Sequence, residues 1–433
     1  MAPGRPPGRT TDRRSVSPDA PVRILRIASG GDGVGRLEDG RTVFVPRTAP
    51  GDLVLLSRER TYARYVRARI GAIVAPGPGR VEPRCIHYVR DDCGGCQLQH
   101  LDQVTQLAAK RAIVADALAR IAHLDLPVAP VIAGSRPWQY RSRISLRIGP
   151  ALRLAGFHPL DQPGRVFELE HCDLAAPALM ELWTALRPRL HLLPPDAEQL
   201  TLRVARDGGR HLVVRARGAE AWRKPERLAQ ALAAAGAPAT IWWQPGGGAA
   251  RVVGRGETFP ATVFEQVNPD LGDQIRAWAV EQLGIRPGMH VWDLYAGIGE
   301  GSALIRAQGA TVESVELDPR AVELAASRSG GRNEGIRRHT GKVEDFLRRL
   351  DDADGVIANP PRAGLSERVR IGLLERRPPA MVYVSCDPAT LARDLEQLAG
   401  GPAPQPYRVT AVQPFDLFPE TAHVEAVAVL EAT

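Results

Sequence analysis

The sequence predicts an α/β protein whose C-terminal part is an open, doubly wound sheet, preceded by a small β-barrel and a central α+β region. Three observations lead to this fold class. Residues 21–78 form short alternating runs separated by glycine and proline, a pattern typical of small barrels. From residue 263 to the end, apolar runs alternate with helix-like stretches, which is typical of a parallel sheet. A cysteine-bearing stretch lies between these two parts.

Composition limits the classes of protein that the chain can belong to. Its 433 residues suffice for two or three domains. No run approaches 18 apolar residues and the N-terminus lacks an apolar segment, so we expect neither a transmembrane helix nor a secretory signal, and a cytoplasmic location. The formal charge is +7, and residues 1–80 carry 15 basic and 7 acidic residues. This local excess predicts a polyanionic partner, nucleic acid first; a solvated basic surface is the alternative.

The N-terminal regions carry the basic excess. Residues 1–20 are rich in proline, arginine and serine, which predicts a disordered basic tail. In the barrel region, "RERTYARYVRAR" interleaves five arginines with Tyr62 and Tyr65. Guanidinium groups bind phosphate and tyrosine rings stack on bases, so this strand favours single-stranded RNA. An edge strand protected by its charge is the alternative.

The five cysteines are the sharpest compositional feature. "CIHYVRDDCGGC" supplies Cys85, Cys93 and Cys96, and Cys172 follows in "LEHCDLAAPAL". Disulfides are not expected in a cytosolic protein, and a Cys-x-x-Cys pair around Gly-Gly suits a metal site. Four thiolates could hold zinc, which is favoured by frequency, or an iron–sulfur cluster; a redox pair without metal is the third alternative. Cys386 in "YVSCDPATLARDL" is left over.

Residues 263–433 contain a nucleotide-binding pattern. "MHVWDLYAGIGEGSALIRAQGATVESVELDP" is typical of a strand, a glycine turn, a helix and a second strand. We expect Gly297 and Gly299 to let the backbone approach a ligand, and Glu316 to accept hydrogen bonds from ribose hydroxyls. Because the third glycine of the dinucleotide fingerprint is missing, S-adenosylmethionine fits better than NAD. Asn359 and Cys386 follow later strands, at the edge where such sheets bind ligands.

These motifs, taken together and in order, resemble the RNA uridine carbon-5 methyltransferases. The resemblance runs from about Val22 to the end of the chain. It rests on the barrel, which is similar to a TRAM domain, and on these stretches: "CGGCQLQHL", "WQYRSRISLRI", "FEQVNPD", "WDLYAGIG", "NPPRAGL", "VSCDPATLARD" and "FDLFPETAHVEAV". It implies a Rossmann-like, class I S-adenosylmethionine-dependent methyltransferase domain at residues 263–433. Residues 21–78 would be the TRAM or OB-like barrel, and residues 79–262 a central RNA-binding domain.

The resemblance implies a role for the remaining cysteine, and chemistry supports it independently. Carbon 5 of uracil is a poor nucleophile, and addition of a thiolate at carbon 6 generates an enolate that activates it. Cys386 would be this nucleophile. Glu425 would be the general base that removes the carbon 5 proton, with His423 two residues away. Without the resemblance, an inert buried thiol and an ordinary edge-strand carboxylate are the simpler interpretations.

Cofactor contacts are implied by the same resemblance. Gln266, Tyr295, Gly297, Glu316 and Asn359 stand where the family binds S-adenosylmethionine. The sequence departs from the family at two positions: Asn359 replaces the usual aspartate, and Ala296 replaces the cysteine of the glycine turn. Asn-Pro-Pro also occurs in methyltransferases of exocyclic amino groups, but these have an aromatic residue where this chain has Arg362.

The family also implies a [4Fe-4S] cluster on the four cysteines, in preference to zinc. Arg141, Arg143 and Arg147 alternate along a predicted strand of the central domain and suit an RNA backbone. On analogy alone, the expected product is 5-methyluridine in 23S rRNA rather than in transfer RNA, and the expected state is a monomer. An amino-group methyltransferase and a nonenzymatic RNA-binding protein that retains the fold are the alternatives.

Overall fold

The computed structural model describes residues 20–150, 154–219, 222–253, 263–328, 335–401 and 405–433. The basic tail predicted at residues 1–20 therefore lies outside the described residues, apart from Ala20. Among the described helices, none combines the length and the apolar character needed to cross a bilayer.

The N-terminal region is a closed five-stranded barrel, as predicted. Alternate residues of its strands, among them Ile24, Val43, Val54 and Val66, point inward and form a separate small core, because successive side chains of a strand face opposite sides. The strands adjoin in the order β1-β2-β3-β5-β4. They are β1 (Val22–Ile27), β2 (Asp32–Arg36), β3 (Thr42–Pro46), β4 (Leu53–Thr61) and β5 (Tyr65–Ala75).

The central region is built on a seven-stranded sheet in the order β13-β12-β11-β10-β7-β8-β9. Helices α3 and α4 pack with this sheet into one core, in which Trp183 and Leu228 are completely buried. The strands are β7 (Arg143–Ile148), β8 (Ala155–Phe157), β9 (Phe167–Glu168), β10 (Ala197–Val204), β11 (Arg210–Ala216), β12 (Thr240–Gln244) and β13 (Arg251–Val253), and the helices are α3 (Pro177–Leu186) and α4 (Glu226–Ala234).

The segment between the barrel and this sheet joins a different part of the molecule. It contains α1 (Ile86–Arg90), α2 (Gln103–Ala117) and β6 (Ile132–Ala133). Helix α2 shares the core of the C-terminal sheet, and β6 is the last strand of that sheet. The predicted central region at residues 79–262 did not anticipate this, because pairing between strands far apart in sequence leaves no local pattern.

The C-terminal region is the predicted open α/β sheet, with strand order β16-β15-β14-β17-β18-β20-β19-β6. Strands β14 to β18 are parallel, and β20 runs antiparallel between β18 and β19. Its strands are β14 (His290–Leu294), β15 (Thr311–Glu316), β16 (Ile336–Thr340), β17 (Gly355–Ala358), β18 (Ala380–Ser385), β19 (Tyr407–Asp416) and β20 (Glu425–Ala432). Its helices are α5 (Pro269–Gln282), α6 (Glu300–Ala307), α7 (Pro319–Arg328), α8 (Val343–Phe346), α9 (Glu367–Arg376) and α10 (Pro388–Ala399).

Two apolar cores cover the two faces of this sheet. One contains side chains of α2, α9 and α10, and the other contains side chains of α5 and α6. A sheet buried on both faces needs strands that are apolar throughout, and "MVYV" in β18 is buried at every position. The carboxyl ends of the parallel strands are thereby held together along one edge.

Candidate active site

A large cavity opens at the edge where the parallel strands end. Strands β14, β15, β17 and β18 end at Leu294, Glu316, Ala358 and Ser385. The residues that follow them line a cavity of about 1370 Å³. Ligands of open α/β sheets bind at this edge, so the cavity is the candidate active site.

Strand register brings Cys386 and Glu425 to the same place. Strands β18 and β20 are antiparallel, and Ser385 pairs with Ala426. Cys386 follows Ser385 and Glu425 precedes Ala426, so the next pair in this register places the thiol beside the carboxylate. Both residues line the cavity. The structure thus brings together the two predicted catalytic residues.

The carboxylate of Glu425 is buried, and one of its oxygens has no hydrogen-bond partner in the described structure. The residue is 2% exposed, and this oxygen is Oε2. Burial raises the pKa of Glu425 to about 7, although the charge of Arg362 opposes this shift. A carboxylate with a pKa near neutrality is suited to accept and release a proton at physiological pH.

The Cys386 thiol experiences opposing influences. Burial raises its pKa, and the nearby charge of Glu425 adds to this shift, while the charge and hydrogen bonding of Arg362 lower it. Arg362 is therefore a cation shared by the thiol and the carboxylate. Sequence reasoning used Arg362 only to separate two classes of methyltransferase. Its place directly after the Pro-Pro turn that ends β17 was the signal that it lies at the edge of the sheet.

The two glycines of the turn after β14 have different roles. Gly297 has φ +56°, a β-carbon there would meet no atom within 4 Å, and its N–H donates to Glu316 Oε2 at 2.8 Å. Gly299 has φ +75°, and a β-carbon would lie 2.9 Å from that of Ala325 in α7. The backbone thus faces open space at Gly297, and its approach to a ligand stays a prediction. At Gly299 the expectation was incomplete, because that glycine permits close packing of α7 on the turn.

The other residues predicted to contact the cofactor lie around the same cavity. Tyr295 has φ +63° and starts the turn, and the Asn359 N–H donates to Leu294 O at 3.2 Å. Gln266 precedes α5 and packs against Gly272 in its first turn. All five predicted cofactor residues, Gln266, Tyr295, Gly297, Glu316 and Asn359, line the cavity that contains Cys386 and Glu425. His423 also lines it, from the loop before β20 rather than from the strand itself.

A second, smaller cavity contains the other four thiols. Cys85, Cys93, Cys96 and Cys172 line a cavity of about 280 Å³. Cys85 and Cys93 are buried, and Cys96 and Cys172 are half-buried. Within the described residues, no three cysteine, histidine or acidic side chains converge as they would around one metal ion. The four thiols therefore surround a space without meeting at a point.

The two cavities share a wall. Gly95, Arg141, Arg143 and Val267 line both. Arg141 lies before β7 rather than in it, and its Nε is buried without a partner. The predicted alternation of Arg141, Arg143 and Arg147 along an RNA-facing strand is therefore wrong for Arg141, because the strand begins two residues later.

The fold and this site define a class. A parallel sheet, a glycine turn after its first strand, an acidic residue that ends the second strand and a cavity at this edge together define a class I methyltransferase domain, as the sequence predicted. The barrel at its N-terminal side adds an OB-like module.

Comparison with known proteins identifies the family. The family described as tRNA (Uracil-5-)-methyltransferase matches residues 336–433, and the TRAM domain matches residues 20–70. The chain is 31% identical to the 23S rRNA (uracil(1939)-C(5))-methyltransferase RlmD of Thiobacillus denitrificans, over 95% of this chain and 99% of the relative. It is 32% identical to an uncharacterized RNA methyltransferase of Thermosynechococcus vestitus, over 94% and 97%. The chain therefore belongs to the RNA uracil-C5 methyltransferases, a family of S-adenosylmethionine-dependent enzymes.

A solved structure has the same fold over nearly the whole chain. The tRNA (uracil-54, C5)-methyltransferase of Pyrococcus abyssi, crystallised with S-adenosyl-L-homocysteine, superposes with a TM-score of 0.69. The match covers 94% of this chain and all of the other at 22% identity. At that identity the likeness concerns the fold.

Proposed function

We propose that this enzyme forms 5-methyluridine in 23S rRNA through a covalent adduct between Cys386 and carbon 6 of the target uracil, with Glu425 as the general base. The observation that carries the proposal is a thiol and a buried carboxylate, one oxygen of which has no hydrogen-bond partner in the described structure, in one cavity with the predicted cofactor residues. The choice of 23S rRNA follows the names of the full-length relatives at 31–32% identity.

The size of the cavity supports two reactants. Sites for a single small ligand usually measure about 300–1000 Å³, and this one measures about 1370 Å³. It can therefore hold a methyl donor and an extruded uridine side by side. A base that reacts at carbon 5 and carbon 6 must leave its stack, which favours a loop or a single-stranded target.

The cofactor residues suit S-adenosylmethionine, which supplies an electrophilic methyl group when bound. The Glu316 carboxylate accepts hydrogen bonds from the N–H groups of Gly297 and Asp318, and we expect it also to accept from ribose hydroxyls beside the open backbone of Gly297. We expect Gln266 to contact the methionine end and Tyr295 to pack along the cofactor. Asn359 retains an acceptor oxygen without the charge of the usual aspartate.

The chemistry follows from the arrangement of the chain's own groups. The Cys386 thiolate adds to carbon 6, a C–S bond forms, and the electron pair of the ring double bond moves onto carbon 5 and the conjugated carbonyl. Carbon 5 would then attack the methyl group of S-adenosylmethionine, the bond from sulfur to that methyl group would break, and S-adenosylhomocysteine would leave. Glu425 then removes the carbon 5 proton, the C–S bond breaks, and the thiolate is regenerated. Arg362 favours the thiolate at the start and at the end of this cycle.

The cysteine cavity suits a [4Fe-4S] cluster better than zinc. A cavity of about 280 Å³ exceeds what one ion needs, since about 10–15 Å³ of comparable space already holds a water. Four thiolates are the usual ligands of such clusters. Cys85, Cys93, Cys96 and Cys172 would hold it, and it would tie the segment after the barrel to the central sheet.

RNA contacts outside the cavity are expected on the barrel. Arg60 and Arg67 face each other directly across β4 and β5, and like charges in such a pair destabilise it; Asp32, 3.9 Å from Arg67, offsets part of this repulsion, and a bound phosphate would offset more. Next to them, the rings of Tyr62 and Tyr65 stack at 4.6 Å. Phosphate binding by the arginines and base stacking on the exposed Tyr62 ring would explain this hairpin.

The direct test is methylation of purified RNA. The protein is incubated with S-adenosylmethionine and with unmodified 23S rRNA or transfer RNA, and nucleosides are quantified by mass spectrometry. We expect 5-methyluridine in 23S rRNA with wild-type protein and none with Cys386→Ala. If 5-methyluridine forms in transfer RNA alone, the substrate is transfer RNA and not 23S rRNA. A methylated exocyclic amino group, or activity that survives Cys386→Ala, would overturn the mechanism, and absence of any methylation would favour the nonenzymatic RNA-binding alternative.

A further inference from the structure

The loop that precedes Glu425 is held by buried polar contacts with other parts of the chain. It comprises residues 417–424, here called the 417–424 loop, and joins β19 to the first residue of β20. Its conformation sets where Glu425 begins its strand, and hence whether the carboxylate lies opposite Cys386. Partners from three separate parts of the chain contact it.

The first partner is helix α2. Gln106 Nε2 donates to Glu420 Oε2 at 3.0 Å, and the Glu420 N–H donates to Gln106 Oε1 at 3.1 Å. The two residues are 3% and 6% exposed. Glu420 has φ +66°, a left-handed conformation that is strained for a residue with a side chain and persists only where its surroundings hold it. The reciprocal pair of hydrogen bonds supplies that restraint.

The second partner is the segment that carries two of the four clustered cysteines. The N–H groups of Gln97 and Leu98, directly after Cys96, both donate to Glu420 O, at 3.1 and 3.0 Å. The Ala422 N–H donates to Gln97 Oε1 at 3.4 Å. Gln97 Nε2 in turn donates to Gly94 O at 2.8 Å. The cysteine segment and the 417–424 loop are therefore hydrogen-bonded to each other through backbone groups and through the side chain of Gln97.

The third set of contacts anchors the start of the loop. Lys110 of α2 is completely buried, is paired with Asp416, and donates to Phe418 O at 2.9 Å. Tyr140 OH donates to Pro419 O at 3.0 Å. A buried lysine is tolerated only when it is paired, so these contacts fix the position of α2 relative to the end of β19.

We propose that Gln106 and Glu420 are positioning residues that hold the 417–424 loop so that Glu425 reaches the carbon 5 proton, with Gln97 of the cysteine segment completing the restraint. The inference rests on the proposed function of Glu425. It assigns α2 and the cysteine segment a part in the proton-removal step, although neither Gln106 nor Glu420 lines the catalytic cavity.

A positioning role can be separated from a structural one by the covalent adduct. Proton removal follows methyl transfer, so a displaced Glu425 leaves the methylated RNA attached to Cys386. For Gln106→Met and Glu420→Ala we expect kcat to fall about tenfold or more, the KM for S-adenosylmethionine to stay within about twofold, and the adduct on denaturing gels to rise several-fold. Glu420→Gln, whose amide oxygen can still accept from Gln106, should restore most of the activity.

The matched control is Tyr407→Phe. Tyr407 OH donates to Pro378 O at 3.1 Å, and Tyr407, like Gln106, is buried. Tyr407 lies at the start of β19, whereas the 417–424 loop follows the end of that strand. Tyr407→Phe also removes a buried hydrogen bond, so its melting temperature should fall about as much as that of Gln106→Met, with no change in adduct. A wild-type adduct level in both Gln106→Met and Glu420→Ala, or an equal rise in Tyr407→Phe, would overturn the proposal.

Failure of the proposed general-base role of Glu425 can be distinguished from failure of the positioning proposal. Glu425→Gln is run in parallel, and if it traps no adduct the general-base assignment itself fails, whatever the positioning variants do. If Gln106→Met does not fold, Glu420→Ala decides by the same measurement.

Discussion

The two cavities of this enzyme share a wall and contain the same reactive group, yet their surroundings differ in kind. The catalytic cavity, the larger one that Cys386 and Glu425 line, contains a single thiol. The charges of Glu425 and Arg362 shift the pKa of that thiol in opposite directions. In the cysteine cavity four thiols face one another. Burial raises the pKa of the thiols in both cavities. The pKa of Cys93 rises to about 12, because the neighbouring thiols add to the effect of burial.

The difference shows what decides the chemistry of a buried thiol. A lone thiol with an adjacent cation and open space in front of it can ionise and attack. Thiols that raise one another's pKa ionise readily only when a metal centre takes up their charge. The sequence separated the two groups by spacing alone, and the structure places them in two cavities, while their roles stay predictions.

The largest expected effect comes from removing the lone thiol. Cys386→Ala should lower methylation at least about 10³-fold, because loss of a nucleophile removes the covalent route. Binding of S-adenosylmethionine, measured by calorimetry, and iron content should stay unchanged. Loss of iron from Cys386→Ala would show that the two cavities are not independent, and would contradict the contrast drawn between them.

The next effect concerns Glu425, which lines the cavity of Cys386 and not the cysteine cavity. Glu425→Gln should lower kcat by roughly 10²–10⁴-fold, the usual contribution of a general base, and the RNA adduct should accumulate on denaturing gels. Glu431→Gln, on the exposed end of the same strand, is the control and should behave as wild type. Full turnover by Glu425→Gln would remove the base assignment.

Thiol reactivity compares the cavities directly. Iodoacetamide should modify Cys386 before the four clustered cysteines in the protein as isolated, as followed by peptide mass spectrometry. Arg362→Met should slow modification of Cys386 several-fold, because Arg362 lowers the pKa of that thiol. Arg393→Met, which removes another arginine of the cavity and leaves Asp394 paired with Arg370, should not. Equal reactivity of all five thiols would contradict the distinction.

The smallest effect is on stability. The pKa of Glu425 is about 7 in the folded protein against an ordinary 4.5, so the folded state holds a proton that the unfolded chain releases. The contribution of Glu425 to the free energy of unfolding should therefore fall as pH rises from about 4.5 to 7, and stay level above. Glu425→Gln should be more stable than wild type at pH 8 by on the order of 2–3 kcal/mol, with little difference at pH 4. Melting temperatures at both pH values test this, and a variant without the pH-dependent gain would refute it.

Much of the fold was predictable because its signals are local. The barrel follows from alternating strands and glycine turns, and the C-terminal sheet from buried apolar runs that alternate with helices. The roles of the predicted site residues stay predictions, although the structure gathers them in two cavities. The part of the central region that joins the C-terminal sheet through α2 and β6 was missed, because its partners in β19 and α10 lie nearly 300 residues away.

The sequence by itself determined the order of strands and helices, the turn at Gly297 and the division of the cysteines into four and one, since periodicity, turn chemistry and spacing are properties of neighbouring residues. Only the tertiary structure decided that Glu425 lies opposite Cys386, that Arg141 stands in the wall between two cavities, and that Gln106 holds Glu420. These contacts depend on strand register and on packing between distant segments. A single sequence records such long-range pairing nowhere in its local pattern.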